Sequence, residues 1–135
     1  GKKADLELVN KVKAGGMPGG GEWRVLLDAA KACATDPPDL TQYPADFVAL
    51  SFYKIFGYPS GLGALLVRRD AVGLLERRYF GGGTVSVVGV NKDLLVRREA
   101  PEGFEDGTVS FLSIAALVHG APRHLTPRFP EGHET

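Results

Sequence analysis

Several residue types are scarce in this chain of 135 residues. Its one cysteine, Cys33, excludes an internal disulfide and fits a reducing compartment. Its 16 basic and 16 acidic side chains cancel, so no net charge draws it to nucleic acid or to an anionic membrane. No apolar run approaches the roughly 20 residues that a membrane helix needs. We therefore expect a soluble, cytoplasmic protein with no nucleic-acid and no membrane partner.

The rest of the composition indicates a globular segment with many turns. Hydrophobic residues make up 44% of the chain, and 18 glycines and 9 prolines are spread along it. This content is enough for one domain with its own core. Because the single methionine is Met17 and residues 127–135 are polar and unpatterned, we expect a piece of a longer protein. We predict a partial domain over residues 1–126, followed by a polar tail or truncated end at residues 127–135.

The stretch Asp46–Val67 organises the chain. Its two short apolar runs, Asp46–Leu50 and Gly63–Val67, predict strands that are covered on both faces. The loop predicted between them sets Lys54 among crowded apolar neighbours: Phe52, Tyr53, Ile55, Phe56 and Tyr58. Desolvation there favours the neutral, nucleophilic amine that covalent catalysis on carbonyl groups requires. In the alternative, the Lys54 stem covers the rings while its charge stays in water.

The remaining segments complete an α/β pattern. Helices are predicted at Ala4–Ala14, Ala71–Arg78 and Thr108–Val118. Further strands are predicted at Trp23–Leu27, Val85–Val90 and Leu94–Arg98. In the second of these helices we expect Asp70 to be the N-cap, with Leu74 and Leu75 facing inward.

Three further features each allow two interpretations. Asp28 either delivers a carboxylate at the end of a strand, where α/β sheets bind ligands, or caps the next helical turn. Cys33 is either a nucleophile or a small buried apolar residue, and the lack of a nearby histidine base favours the second. Gly81–Thr84 is either a close backbone approach to a ligand or another chain, or a plain turn. It matches neither of the glycine motifs that bind nucleotides.

Four blocks of the sequence resemble a known family. They are VLLDAA at Val25–Ala30, DFVALSFYKIFGYPSGLGALLV at Asp46–Val67, YFGGGTVSV at Tyr79–Val87 and FEDGTVSFLSIAAL at Phe104–Leu117. Their order and spacing resemble the class V aminotransferase family, and within it the molybdenum cofactor sulfurase branch. The resemblance implies an α/β fold that forms part of the large domain of a fold-type I pyridoxal phosphate enzyme. Such a domain has a mainly parallel sheet with helices on both faces.

The resemblance also implies roles for single residues. Lys54 corresponds to the lysine that holds pyridoxal phosphate covalently and moves protons, and Asp28 to the carboxylate beneath the pyridine nitrogen. Ser51 corresponds to a hydroxyl on the cofactor phosphate. Thr108 belongs to a Gly-Thr pair that reaches the phosphate of the neighbouring subunit's cofactor, which implies a homodimer with shared sites. The resemblance also places Tyr53 among the cofactor-binding residues.

Two positions depart from the wider cysteine desulfurase pattern. Tyr53 replaces a histidine, which fits the sulfurase branch. Lys31 stands where a glutamine often meets the ring hydroxyl, and no contact is assigned to it. The cysteine that carries the persulfide in the family lies beyond the matched region, so Cys33 is not given that role. No metal site is predicted.

The function implied by the resemblance is transfer of sulfur from L-cysteine to the molybdenum cofactor by a pyridoxal phosphate enzyme. One alternative is a general cysteine desulfurase that supplies another acceptor. Another is a paralogue that keeps the fold without the chemistry. The isolated piece is expected to be inactive, because the segments that complete the cofactor site in the family are not matched by this sequence.

Overall fold

The computed structural model describes residues 4–58 and 60–120, and these residues combine helices with two small sheets. The α-helices are α1 (Glu7–Lys13), α2 (Phe52–Phe56) and α3 (Phe111–Gly120). The strands are β1 (Leu26–Asp28), β2 (Phe47–Ser51), β3 (Gly63–Val67), β4 (Val85–Val88) and β5 (Leu95–Arg97). Short 3₁₀ helices span Ala32–Ala34, Arg69–Leu74 and Glu102–Phe104. The predicted α/β class is confirmed.

The larger sheet has the order β1-β2-β3 and mixes the two strand directions. β1 and β2 are parallel, whereas β2 and β3 are antiparallel, with Ser51 opposite Gly63. A parallel neighbour needs a crossover of about a dozen residues or more. Residues 29–46 provide that length between β1 and β2, and residues 52–62 between β2 and β3 fall just short of it. The parallel part of the described sheet is therefore the β1–β2 pair. β4 and β5 form a separate antiparallel pair.

The buried core is smaller than the hydrophobic content predicts. Among the described residues, one buried cluster consists of Val9, Ala29, Ala45 and Val48, with partly buried side chains packed around them, and Ala71 is also buried. Many large apolar side chains are exposed instead, including Val90 at 97%, Val118 at 77% and Leu112 at 75%. Exposed apolar surface of this extent is typical of a face that packs against other protein.

Asp46 is fully buried and ties three parts of the chain together. Its carboxylate accepts hydrogen bonds from Lys13 in α1 and from the Val25 N–H at 2.8 Å, and it forms an ion pair with Arg68 at 3.1 Å. Burial alone raises the pKa of Asp46, but these hydrogen bonds and the two positive charges outweigh it and hold the pKa below its usual value. Asp46 is therefore an ionised, paired carboxylate just before β2.

The helix predicted at Ala71–Arg78 is wrong. A 3₁₀ helix ends at Leu74, and the backbone is extended at Leu75. Asp70 does not cap it, because its carboxylate pairs with Arg68 at 2.5 Å and 2.7 Å. Leu74 is 52% exposed and so does not face inward. Gly73 lowers the helical preference of this segment, and tertiary contacts of the residues that follow determine their path.

The other predicted elements are found with shifted ends. α1 lies inside the predicted Ala4–Ala14, and both β4 and β5 lie inside their predicted ranges. α3 begins three residues later than predicted, at Phe111. The Ser110 carbonyl accepts the Ile114 N–H at 2.9 Å, and the Ser110 hydroxyl bonds that of Ser113 at 2.9 Å.

Two predictions concern the extent and surroundings of the chain. The domain boundary predicted between residues 126 and 127 lies outside the described residues. Within residues 4–58 and 60–120, no helix combines the length and the apolar character needed to cross a membrane.

Candidate functional site

The carboxyl ends of the two parallel strands bring two of the predicted site residues together. Asp28 ends β1 opposite Ala49, and Ser51 ends β2 two residues further along. Because side chains alternate across a strand, Asp28, Ala49 and Ser51 face the same side of the sheet. From the strand spacing and the rise per residue, the Cα atoms of Asp28 and Ser51 lie about 8 Å apart.

Asp28 ends a strand, as the first interpretation expected, and it is not the N-cap of the helical turn that follows. It is the last residue of β1, and its Oδ1 accepts a hydrogen bond from the Ala30 N–H at 3.0 Å. This bond stabilises the turn after the strand, whereas the 3₁₀ helix that follows has Lys31 at its N-cap position. The exposed carboxylate also lies on the wall of a groove of about 500 Å³, whose other lining residues include Lys31 and Leu27. Asp28 is thus both fixed and accessible.

Lys54 lies on α2 and not in a loop. Phe52 and Phe56 are one helical turn apart and stack with ring centroids 6.3 Å apart. Lys54 is two residues from each of them, about 200° round the helix, so these rings cannot cover it. The expectation of a desolvated lysine is therefore wrong for the described residues. The lysine is exposed, as the alternative interpretation predicted, and its Nζ lies 5.9 Å from the centroid of the Tyr53 ring.

The short helix places Lys54 just beyond the edge that carries Asp28 and Ser51. Ser51 is the N-cap residue of α2, and its side chain makes no capping hydrogen bond. α2 packs against the 3₁₀ helix Ala32–Ala34 that follows β1. The segments that leave the two parallel strands are therefore in contact, which holds the three predicted residues in one region of the chain.

Thr108 lies in a different part of the chain. It is exposed in the loop between the 3₁₀ helix Glu102–Phe104 and α3. Among residues 4–58 and 60–120, no hydrogen bond or ion pair joins it to Asp28, Ser51 or Lys54. The contact between α2 and the 3₁₀ helix Ala32–Ala34 thus relates Asp28, Ser51 and Lys54 to one another, and no described contact relates Thr108 to them within residues 4–58 and 60–120.

Cys33 and the glycine run Gly81–Thr84 both contact other parts of the same chain. Cys33 packs against the hydrophobic core, and burial raises the pKa of its thiol, which disfavours the thiolate. This supports the interpretation as a small apolar residue of the core, although Cys33 is partly and not fully buried. In the run Gly81–Thr84, the buried Thr84 hydroxyl bonds the Gly81 carbonyl at 2.8 Å, and the Gly82 carbonyl accepts the Gly107 N–H at 2.8 Å. The run is a close approach to another part of the same chain.

Sequence reasoning missed two charged residues with many contacts, Asp46 and Arg77. An acidic residue at the head of the apolar run that became β2 was a usable signal for Asp46, because a carboxylate there must find partners if it is buried. Arg77 was assigned to a helix end. Its contacts with Gly103 and Asp106 lie more than twenty residues away in sequence, and no local pattern indicates them.

The chain is similar to known proteins over most of its length. A model of the family described as aminotransferase class-V matches residues 20–122. Molybdenum cofactor sulfurase from Arabidopsis thaliana is 63% identical over 108 residues, covering 78% of this chain and 13% of that protein. The protein of that name from Oryza sativa subsp. japonica is 55% identical over 123 residues (89% and 15%), and the one from Homo sapiens 48% over 124 residues (89% and 14%).

Solved structures agree with this similarity. The cysteine desulfurase CsdA from Escherichia coli superimposes with a TM-score of 0.69 at 25% identity, covering 83% of this chain and 26% of that chain. A cysteine desulfurase from Thermococcus onnurineus NA1, solved as the apo form, gives a TM-score of 0.68 at 29% identity, covering 85% and 27%. The chain thus spans about a seventh of the curated relatives and about a quarter of the solved enzymes. Since the family model covers most of its residues, this chain belongs to the aminotransferase class-V family.

Proposed function

We propose that this chain is a segment of a longer pyridoxal phosphate enzyme that removes sulfur from L-cysteine and delivers it to the molybdenum cofactor. The observation that carries the proposal is the parallel register of β1 and β2. It supports a site at which Asp28 and Ser51 share one face and one edge, with Lys54 three residues beyond Ser51.

The chemistry of these side chains fits the cofactor. Pyridoxal phosphate carries a pyridine nitrogen, an aldehyde and a phosphate round a single ring, so it needs three different partners close together. Asp28 is an exposed carboxylate for a protonated nitrogen, Lys54 an exposed amine for the aldehyde, and Ser51 a hydroxyl without a capping bond for the phosphate. The Ala30 N–H restrains one oxygen of Asp28, which favours a fixed direction for the carboxylate.

Asp28 and Lys54 have different chemical roles in this proposal. When bound, pyridoxal phosphate supplies an electron-accepting ring beside the Cα atom of the amino acid. The carboxylate of Asp28 keeps a proton on the pyridine nitrogen through its negative charge. The amine of Lys54 holds the cofactor before the substrate arrives and then carries protons to and from the substrate carbon. The Tyr53 ring centroid lies 5.9 Å from that amine.

Ser51 and Thr108 anchor the phosphate from two subunits in this proposal. Ser51 acts within its own chain, at the end of β2. Thr108, which has no described bond to Asp28, Ser51 or Lys54 within residues 4–58 and 60–120, serves the site of a second copy, so the enzyme works as a homodimer. The exposed apolar side chains of α3, such as Phe111 at 63% and Leu112 at 75%, support a partner surface near Thr108.

The substrates are proposed from the relatives. Proteins 48–63% identical to this chain are named molybdenum cofactor sulfurase, and the structural neighbours are named cysteine desulfurase. We infer that L-cysteine loses its sulfur and leaves as alanine, and that the sulfur passes as a persulfide to the molybdenum cofactor. A desulfurase that serves another acceptor would use the same residues, so the acceptor needs its own test.

Borohydride reduction of the full-length protein tests the cofactor site. We expect reduction to fix the cofactor mass on the peptide that contains Lys54, because the amine is exposed and follows the strand end at Ser51 by three residues. The bound cofactor should also give the full-length protein a visible absorbance. Lys54→Ala should lose both this absorbance and the fixed cofactor mass. Lys92→Ala, which changes an exposed lysine in the turn between β4 and β5, is the matched control and should keep both. A fixed cofactor in Lys54→Ala would contradict the assignment.

A second measurement identifies the acceptor. The full-length protein is incubated with L-cysteine and molybdenum cofactor, and the sulfurated cofactor is then assayed by activation of a desulfo hydroxylase. Sulfuration that Lys54→Ala abolishes supports the proposed acceptor. Alanine formation without sulfuration would identify a general cysteine desulfurase, and the absence of both would identify a paralogue without activity.

A further inference from the structure

We propose that Arg77 is a positioning residue, which sets the loop that carries Thr108 and so determines how tightly the enzyme holds the cofactor phosphate. The inference deepens the proposed function and rests on the phosphate role given there to Thr108. It assigns to Arg77 and Asp106 a task in cofactor binding although neither lies at the strand edge that carries Asp28 and Ser51.

The side chain of Arg77 makes a dense set of contacts with the loop before Thr108. Its Nη2 donates to both carboxylate oxygens of Asp106 at 2.5 Å, and its Nη1 donates to the Gly103 carbonyl at 2.8 Å. The guanidinium also lies over the Phe104 ring, 5.6 Å from its centroid. Only 15% of the Arg77 side chain is exposed. Charge-assisted hydrogen bonds are stronger than neutral ones, although the Asp106 side chain is 42% exposed and its pair with Arg77 is therefore partly screened by water.

Arg77 is itself held in place, so it acts as a fixed point. The Arg97 side chain at the end of β5 donates a hydrogen bond to the Arg77 carbonyl. Arg77 therefore connects the β4–β5 pair to the 3₁₀ helix Glu102–Phe104 and to Asp106. Arg78, the next residue, differs from Arg77 in both its exposure and its contacts. Its side chain is 88% exposed, and its only described ion pair within residues 4–58 and 60–120 is with Glu76 at 3.9 Å.

The loop also contacts the glycine run Gly81–Thr84. The Gly107 N–H donates to the Gly82 carbonyl at 2.8 Å. A Cβ atom on Gly83 would lie 3.2 Å from the Gly107 carbonyl oxygen, so the two backbones are close. Asp106 and Gly107 are thus each bonded to a neighbouring segment, and Thr108 follows them directly. Loss of the Arg77–Asp106 pair would remove one of these two bonds and leave the Gly107–Gly82 bond, so the segment directly before Thr108 would be held less firmly.

The test measures how much the phosphate group contributes to cofactor affinity. Apo full-length protein is titrated with pyridoxal phosphate and with pyridoxal, which lacks the phosphate, and Kd is measured for each by fluorescence. The ratio of the pyridoxal Kd to the pyridoxal phosphate Kd reports what the phosphate contributes. We expect Arg77→Gln and Asp106→Asn each to lower this ratio about tenfold, the effect of one hydrogen bond to a charged group. Arg78→Gln is the matched control and should leave the ratio unchanged.

A double variant tests whether Arg77 acts through Thr108. Thr108→Val should lower the ratio by itself, and adding Arg77→Gln should lower it no further, because both changes remove the same contact. Arg77→Lys should rescue only part of the ratio, since lysine cannot form the two-pronged contact. If Arg77→Gln does not fold, Asp106→Asn, which keeps the size of the side chain, provides the same comparison.

The other possible results of these titrations would each refute a specific part of the proposal. A ratio lowered in Thr108→Val but unchanged in both Arg77→Gln and Asp106→Asn would refute the positioning role and leave the proposed function intact. An equal loss of affinity for both ligands in Arg77→Gln would mean that Arg77 only supports the fold. An unchanged ratio in Thr108→Val would refute the phosphate role of Thr108 itself, and the inference with it.

Discussion

Lys13 donates a hydrogen bond to the buried carboxylate of Asp46, and this contact joins the last residue of α1 to the start of β2. Asp46 also receives the Val25 N–H, one residue before β1, and the charge of Arg68 just after β3. Helix α1 and all three strands of the larger sheet thus meet at one side chain. It lies at the opposite end of β2 from Ser51, so we assign it a structural role.

Loss of the Asp46 carboxylate should destabilise the fold. Asp46→Ala leaves Lys13 and Arg68 without their buried partner, although both retain some access to water. We expect the free energy of unfolding to fall by about 3 kcal/mol, the lower end for a broken buried pair. Urea denaturation of the purified protein measures it. Asp70→Ala removes a carboxylate that is 66% exposed and also pairs with Arg68, and it should have a much smaller effect. Equal effects of the two changes would argue against the central role of Asp46.

The same carboxylate should make stability depend on pH in acid. The pKa of Asp46 is lower in the folded than in the unfolded chain, so the unfolded chain binds its proton first as the pH falls. The stabilisation is fully present above the unfolded pKa of about 3.9 and is lost as the pH drops through the lower folded pKa. The stability difference between the wild type and Asp46→Asn should therefore be constant above about pH 5 and shrink below pH 4. A difference at pH 2 as large as that at pH 5 would contradict this.

Asp28 can be tested without disturbing the turn that it supports. Asp28→Asn keeps an oxygen for the Ala30 N–H but removes the negative charge. We expect weaker binding of pyridoxal phosphate and at least tenfold slower turnover of L-cysteine, with an unchanged melting temperature. Asp39→Asn is the control, because Asp39 accepts the Thr41 N–H at 2.8 Å in a similar turn away from the strand ends. Unchanged kinetics in Asp28→Asn would mean that the carboxylate only supports its turn.

Two neighbouring glycines should respond differently to alanine. Gly83 has φ +90°, and an added Cβ would lie 3.2 Å from the Gly107 carbonyl oxygen. Gly82 has no atom within 4 Å of an added Cβ. Gly83→Ala should therefore lower the free energy of unfolding by about 1–2 kcal/mol, and Gly82→Ala by less. Thermal unfolding measured by calorimetry compares them. Equal melting temperatures would show that the loop moves away without strain.

The sequence predicted the elements whose side chains carry a local pattern. β3 has the predicted bounds Gly63–Val67, because an uninterrupted apolar run between a turn and charged residues has few alternatives. Asp28 was correctly placed at a strand end for a similar reason. Lys54 was assigned to a loop, since five residues are too few for a helical period to be recognised. Arg77 was assigned to a helix, because its partners Gly103 and Asp106 are far away in sequence.

Taken alone, the sequence determined the α/β class, the order of the strands along the chain and the types of side chain available for cofactor chemistry. These follow from short-range hydrophobic patterns and from residue identity. Only the tertiary structure decided that Asp28 and Ser51 share a face, that Asp46 is buried among two cations, and that Arg77 reaches Asp106. Each of these depends on strand register or on contacts between distant segments, which form when buried charges and backbone groups must all find partners.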